Sequence, residues 1–208
     1  MPLPLDKVGP LLREAADRYV MPRFRSLNDG EIREKGPNDL VTVADEQAEA
    51  FLTPRLEDLV PGSLVVGEEA ASADSGLLNR YAGDDLVWTI DPVDGTANFA
   101  KGSPKFCMMV ALSRGAELIG GWIHDPAGGR LYRAEAAAGA VREDEGGGAR
   151  RLAPLAPRTT DPQGIISLKF MPQEMRQTVR ERAGAHGGGY TSGCAGQDYI
   201  KLIEGGID

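Results

Sequence analysis

Cysteine and long apolar runs are both scarce in this sequence of 208 residues. The two cysteines, Cys107 and Cys194, fall in different predicted elements and lack metal-ligand spacing, so no disulfide framework is indicated. No apolar run approaches the length that spans a membrane, and the N-terminus lacks a signal-peptide pattern. These absences argue against the secreted disulfide-rich and membrane classes, and we expect a cytoplasmic enzyme.

Basic residues are outnumbered by acidic ones. The chain has 23 Lys and Arg against 31 Asp and Glu, which gives a net charge of −8 and a pI near 4.9. This balance argues against a nucleic-acid polymer as partner, whereas acidic side chains can gather around cations. The content of 41% apolar and 26% charged residues is typical of a soluble globular protein with one large domain or two small ones.

The most informative stretch is a predicted buried strand, residues 85–90, that leads into two carboxylates, Asp91 and Asp94. Sites in α/β sheets collect at the carboxyl ends of strands, which is where these two acids would lie. Pro92 fixes its own φ and lacks an N–H group, so we expect it to stop the strand and begin a turn.

Gly95 and Thr96 complete this stretch with a close backbone approach and a hydroxyl. Two acids, a turn and free amides suit a hard cation with a phosphate bridged to it. A plain surface turn is the alternative for Asp-Pro-x-Asp-Gly alone. An EF-hand loop is excluded because its third, fifth and twelfth positions would be Val93, Gly95 and Gly102, none of which has a side-chain oxygen.

Three further groups are candidates. A short apolar strand, residues 63–67, ends in Glu68 and Glu69, and one interpretation is that two neighbouring strands point their acids at one spot. Asp45 opens a predicted helix over 45–60, where it could equally be a helix cap. The small residues at 192–196 precede another predicted helix and would suit an anion.

The rest of the chain is predicted to form the helices, strands and loops that surround these candidates. We predict, in order, an amphipathic helix over 5–27, a polar loop over 29–38, a kink or break at Pro54, a meander of strands over 106–141 with His124 at a polar strand end, a proline-rich domain boundary over 152–163, a strand over 164–170, and helices over 172–183 and 195–204.

Several of these segments together resemble the inositol monophosphatase family. The matching segments are residues 88–99 (WTIDPVDGTANF), 67–69 (GEE), 35–45, 121–126 with 131–132, and 193–198, where Cys194 replaces the usual serine. The resemblance implies an α/β fold, the αβαβα layered sandwich of this family. Residues 1–151 would form an N-terminal α+β domain with the metal site, and residues 152–208 the incomplete start of a C-terminal domain. The family's later Trp-Asp-x-Ala-x-Gly segment does not occur here, so we expect the C-terminal part to be missing.

The resemblance implies a Mg²⁺-dependent phosphatase with two or three ions. Glu68 and Asp91, helped by the carbonyl of Val93, would hold the first ion. Asp91 and Asp94 would hold the second, and Glu68 with water would hold a weaker third. Mg²⁺ suits these residues because it takes oxygen ligands and accepts phosphate among them. Glu68 is also counted as catalytic, since a water on its ion would be the nucleophile.

By the same resemblance, Thr96 orients the attacking water and is itself held by Asp45. The backbone amides of Gly95 and Thr96 would bind the phosphate oxygens. Cys194 and Ala195 would build the pocket for the leaving group.

The substrate implied is a small phosphate monoester, most closely inositol-1-phosphate. Nucleotidases of the group often carry Lys-Glu where this chain has Ala97-Asn98. A 3′(2′)-phosphoadenosine nucleotidase and a histidinol-phosphate phosphatase remain alternatives, as does a non-catalytic relative that binds phosphate or a cation. The family further implies a lithium-sensitive homodimer without a nucleic-acid or membrane partner.

Overall fold

The computed structural model describes residues 3–37, 39–153, 164–169, 171–184 and 189–206. Its helices are α1 Val8–Ala15, α2 Val43–Leu59, α3 Glu68–Ala73, α4 Thr96–Ala100, α5 Gln173–Gly184 and α6 Ala195–Ile203. Its strands are β1 Ile32–Gly36, β2 Asp39–Thr42, β3 Leu64–Gly67, β4 Leu86–Asp94, β5 Cys107–Arg114, β6 Glu117–Asp125, β7 Arg130–Glu135, β8 Gly139–Asp144, β9 Ala149–Leu152, β10 Gly164–Ile165 and β11 Gly189–Tyr190.

A seven-stranded mixed sheet organises the chain, in the order β3-β4-β5-β6-β7-β8-β9. β3 and β4 are parallel, and the remaining neighbours are antiparallel. β5 to β8 form the meander that the sequence predicts over 106–141. Because β3 and β4 are parallel, their carboxyl ends lie at the same edge. The sheet therefore brings the acids after both strands together.

The sheet is covered on both faces, since alternate residues of a strand point to opposite sides. One face packs against α1 and α2 in a core that includes Trp88, Val110 and Trp122. Cys107 and Tyr132 face the other way and pack with Ile200 of α6. A small parallel sheet, β10-β11, follows with α5. The predicted α/β layered sandwich is confirmed.

Pro92 does not stop β4, which runs on to Asp94, so that prediction is wrong. The register against β5 shifts between Asp91 and Asp94. A proline is tolerated at such a bulge because the ladder of hydrogen bonds is interrupted there.

The helical predictions hold in outline. Helical turns follow one another from Leu5 to Arg23, which shortens the predicted 5–27 helix. α2 begins two residues before Asp45 and passes through Pro54 without a break. The predicted helices over 172–183 and 195–204 correspond to α5 and α6.

Three local predictions need correction. The polar loop over 29–38 is instead a 3₁₀ turn followed by the β1-β2 hairpin, in which Ile32 pairs with Thr42. Of the strand predicted over 164–170, the described residues 164–169 form regular strand only at β10. His124 lies near the end of β6, as predicted, but it is buried, at 6% exposure, rather than a polar edge residue.

Some predictions fall on residues that the structure does not describe. Asn38, residues 154–163, Phe170, residues 185–188 and residues 207–208 lie outside the described part. The domain boundary therefore stays a prediction. Within the described ranges, no helix is long and apolar enough to cross a membrane.

Candidate active site

The bulge in β4 places Asp91 and Asp94 on the same face of the sheet. Asp91 is opposite Met109 and Asp94 is opposite Cys107, so three steps on β4 match two steps on β5. In a regular strand, residues three apart point to opposite faces. The extra residue in the bulge removes that difference, and both carboxylates line one cleft of about 1570 Å³.

Gly95 links the strand to α4 in a conformation that suits glycine. Its φ is 87°, in the left-handed region, and it is the N-cap of α4. A Cβ at this position would lie 2.9 Å from both the Cys194 Cβ and the Lys105 carbonyl oxygen. Behind α4, Phe99 packs edge-on against Phe106 with ring centroids 4.9 Å apart. The turn that presents Thr96 is therefore held from both sides.

Asp45 is fully buried in the first turn of α2. Its Oδ2 accepts hydrogen bonds from the Thr42 backbone N–H at 2.9 Å and from the Thr42 hydroxyl at 2.5 Å. Burial raises the pKa of Asp45 to about 6, although the bonds from Thr42 oppose that shift. Its Oδ1 lies 3.2 Å from the Thr96 hydroxyl. The structure thus joins the two residues that the resemblance assigns to water orientation.

The Thr96 hydroxyl has one proton and two acceptors within reach. Besides Asp45 it lies 3.0 Å from the carbonyl oxygen of Val93. An ionised Asp45 can only accept a hydrogen bond. When the Thr96 hydroxyl donates to it, the lone pairs of the Thr96 oxygen can still accept a hydrogen bond from another donor.

Glu68, the first residue of α3, is bound by a lysine. Lys35 Nζ on β1 lies 2.8 Å from Glu68 Oε1 and 3.0 Å from Glu69 Oε1. Burial works to lower the pKa of Lys35, but the hydrogen bonds to the two glutamates raise it on balance. Burial raises the pKa of Glu69 to about 7, and Lys35 opposes that shift. One cation of the protein therefore neutralises part of this acidic cluster.

Asp91 is the carboxylate without such compensation. Its Oδ1 is buried and has no hydrogen-bond partner among the described residues. Burial raises the pKa of Asp91 well above its usual range, and the charges of Glu68, Asp94 and Asp45 raise it further. A carboxylate with a buried, unpartnered oxygen among three other acidic side chains is costly in its charged form unless a cation joins it.

Asp94 is held by the start of α6. Its Oδ2 accepts from the Gly196 N–H at 2.5 Å and from the Cys194 thiol at 3.0 Å. The neighbouring Cys107 thiol, followed by burial, raises the pKa of Cys194, so the thiol stays protonated and acts as a donor. Cys194 is 2% exposed and supports Asp94, whereas Ala195 is exposed on the cleft.

The donor set fits a hard divalent cation. The described residues contain no group of three or more His, Cys, Asp or Glu side chains that would hold a metal ion as they stand. Glu68 and Asp94 already have protein donors, in Lys35 and α6. The available ligands are nevertheless all oxygens, and the buried Asp91 oxygen has no partner, which is the combination that Mg²⁺ prefers.

The sequence did not point to two supporting residues. Thr42 forms a capping box with Asp45, and the Thr-x-x-Asp spacing could have revealed it. Asn98 Nδ2 donates to the Lys105 and Ser192 carbonyl oxygens at 2.8 and 3.0 Å, which ties α4 to the segment before α6.

Comparison with known proteins identifies a family with a similar sequence. The sequence pattern of the Inositol monophosphatase family matches residues 5–208. An inositol-1-monophosphatase of Mycobacterium bovis is 35% identical over 120 residues, which are 57% of this chain and 41% of that protein. The alignment thus spans less than half of that relative.

Solved structures share the fold. An IMPase of Thermotoga maritima superposes with a TM-score of 0.75 at 25% identity, covering 98% of this chain and 74% of that one. SaIMPase-II with bound inositol monophosphate superposes with a TM-score of 0.71 at 21% identity, covering 96% and 69% of the two chains. With its pattern matched over nearly all of its length, this chain belongs to the inositol monophosphatase family.

Proposed function

We propose that this protein is a Mg²⁺-dependent phosphatase that hydrolyses a small phosphate monoester. The observation that carries the proposal is the buried, unpartnered Oδ1 of Asp91 among three other carboxylates. Glu68, Asp91, Asp94 and the Val93 carbonyl would hold two or three ions. When bound, the ions supply Lewis-acid stabilisation of the phosphoryl oxygens and lower the pKa of an attacking water.

In this proposal Thr96 and Asp45 orient the water. The Thr96 hydroxyl donates a hydrogen bond to Asp45 Oδ1 at 3.2 Å, which leaves the lone pairs of the Thr96 oxygen free to accept a hydrogen bond from the water. The fixed position of Asp45, bound by Thr42 on its other oxygen, makes this arrangement rigid before substrate arrives.

The phosphate would lie against the turn at Gly95. The first N–H groups of a helix have no partner inside the helix, so the amides of Gly95 and Thr96 can donate to phosphate oxygens. The absence of a side chain at Gly95 lets the backbone approach the phosphate closely. The exposed Ala195 lines the same cleft and would contact the leaving group, whereas the buried Cys194 would act on the pocket indirectly, by fixing Asp94.

An inositol phosphate is the proposed substrate because Ala97-Asn98 differs from the Lys-Glu of the nucleotidases, and the curated M. bovis relative bears the name inositol-1-monophosphatase. SaIMPase-II binds inositol monophosphate in one solved structure and 2′AMP in another, so a nucleotide belongs in the test panel. Histidinol phosphate completes the panel.

The test is phosphate release from these substrates, with and without Mg²⁺. We expect Mg²⁺-dependent release, fastest from inositol-1-phosphate, and loss of release in Asp91→Asn. No release from any substrate at any Mg²⁺ concentration would favour the non-catalytic alternative. The ion pair between Lys35 and Glu68 supports this alternative, because a cation of the protein already neutralises one of the proposed metal ligands.

The family also supports two proposals about the assembled protein. Two chains would form a homodimer, which light scattering tests by its molar mass. Li⁺ would inhibit turnover, which a dose series at fixed Mg²⁺ tests.

A further inference from the structure

Glu49 is a buried carboxylate near the site to which the proposed reaction gives no role. It lies on α2 one helical turn after Asp45 and is 8% exposed. Its two oxygens accept separate backbone hydrogen bonds, from the Glu69 N–H at 2.9 Å and from the Ala70 N–H at 3.0 Å. These amides belong to the first turn of α3, the helix that begins with Glu68.

Glu49 thus caps α3 from another helix. The N-cap position of α3 is Gly67, which has no side chain to accept a hydrogen bond. Helices commonly use Ser, Thr, Asp or Asn there. A Cβ on Gly67 would overlap the Glu49 carboxylate, so the glycine is required by the cap.

The cap places a negative charge beside the carboxylates of Glu68 and Glu69, where negative charge is already in excess. Burial raises the pKa of Glu49, and the hydrogen bonds from Glu69 and Ala70 oppose that shift. A neutral side chain could fill the same space without adding to the repulsion around Glu68. The carboxylate is the group that can accept both amides at once and complement the positive end of α3.

We infer that Glu49 is a positioning residue, which fixes the first turn of α3 and thereby sets where the Glu68 carboxylate lies relative to Asp91. The inference rests on the proposed function. Residues that orient metal ligands from outside typically change metal affinity by roughly 10–100-fold when they are replaced. Glu49 should therefore act on Mg²⁺ affinity rather than on the chemical step.

Glu49→Gln is the test variant, because it keeps the shape but turns an acceptor oxygen into an NH₂ group facing an amide N–H. Glu57→Gln is the matched control, since Glu57 is exposed on the same helix and loses the same charge. For the parent protein, Glu49→Gln and Glu57→Gln, calorimetry measures Mg²⁺ binding and an activity assay measures phosphate release. We expect Mg²⁺ affinity to fall roughly 10–100-fold only in Glu49→Gln, with kcat and KM at saturating Mg²⁺ within about twofold of the parent protein.

Amide hydrogen exchange at Glu69 and Ala70 provides a readout that needs no metal. It should be faster in Glu49→Gln and unchanged in Glu57→Gln. A lower melting temperature with unchanged Mg²⁺ affinity would overturn the inference and make Glu49 merely structural.

Failure of the proposed function has a different signature. A parent protein that binds no Mg²⁺ and releases no phosphate overturns that function, whereas unchanged exchange at Glu69 and Ala70 in Glu49→Gln overturns the positioning role by itself. Gly67→Ala is a second variant, and its added methyl group should displace Glu49 and reproduce the loss of Mg²⁺ affinity. Wild-type affinity in Gly67→Ala would also contradict the inference.

Discussion

Acidification from pH 7 to pH 5 should destabilise the protein through His124. This residue lies on β6 and is 6% exposed, with Nδ1 3.1 Å from the Arg130 carbonyl oxygen. Burial, helped by the charge of Arg13, lowers the pKa of His124 from 6.5 to about 4, although the hydrogen bond with the Arg130 carbonyl and the charge of Asp17 oppose the shift. The folded protein therefore keeps the imidazole neutral under conditions where the unfolded chain protonates it.

The size of the effect follows from that difference in pKa. Stability is fully present above pH 6.5 and is lost as the pH falls towards 4, because the unfolded state then binds one more proton. Each unit of pKa difference corresponds to about 1.36 kcal/mol, so the full loss is about 3 kcal/mol. Between pH 7 and pH 5 the loss is about 2 kcal/mol.

Urea denaturation of the parent protein and His124→Gln at pH 7, 6 and 5 measures this loss. Altered packing shifts the unfolding free energy of the variant by an amount that does not depend on pH, so this offset cancels when the free-energy gap between the two proteins is followed with pH. We expect the gap to change by about 2 kcal/mol in favour of the variant at pH 5. Parallel pH profiles would refute the reasoning, as would an imidazole NMR titration with its midpoint near 6.5.

Three further predictions concern the candidate site. Asp91→Asn should lower turnover by more than about 100-fold, and it should leave metal-free stability unchanged or higher because it removes a repelling carboxylate. Turnover at several Mg²⁺ concentrations and melting curves with EDTA measure the two effects, and full activity would contradict the assignment. Thr96→Ala should lower kcat and kcat/KM equally, by roughly 100-fold, with little change in KM, while Thr96→Ser retains activity. A change in KM alone would instead make the hydroxyl a substrate contact. Lys35→Met should tighten Mg²⁺ binding, measured by calorimetry, roughly tenfold because it releases Glu68. Lys101→Met on the same cleft is the control. Weaker binding in Lys35→Met would show that Lys35 assists the ion instead.

The errors of the sequence analysis have local physical causes. Pro92 was expected to end the strand, yet a bulge accommodates it, and a bulge is defined by the partner strand rather than by β4 itself. The β1-β2 hairpin was missed because its charged residues do not alternate with apolar ones in the way that indicates a strand. His124 was placed at a polar edge because its burial depends on elements distant in the sequence.

Cys194 and Ala195 illustrate a similar limit within the site. The sequence and the family resemblance assign both to the substrate pocket. The structure puts Ala195 on the cleft but turns the Cys194 thiol towards Asp94, 100 residues away. Contacts over such separations leave no periodic signal in the sequence.

The sequence by itself determined the α/β class, the strand that leads into Asp91, the Gly-Glu-Glu segment at the end of another strand and the family. These features depend on neighbouring residues, through hydrophobic period, turn chemistry and motif spacing. The tertiary structure alone decided that both acids of β4 share a face, that Lys35 pairs with Glu68 across 33 residues and that Asp45 reaches Thr96 across 51. The reason is that strand register and helix packing fix these contacts, and both arise only when distant segments bury their apolar faces together.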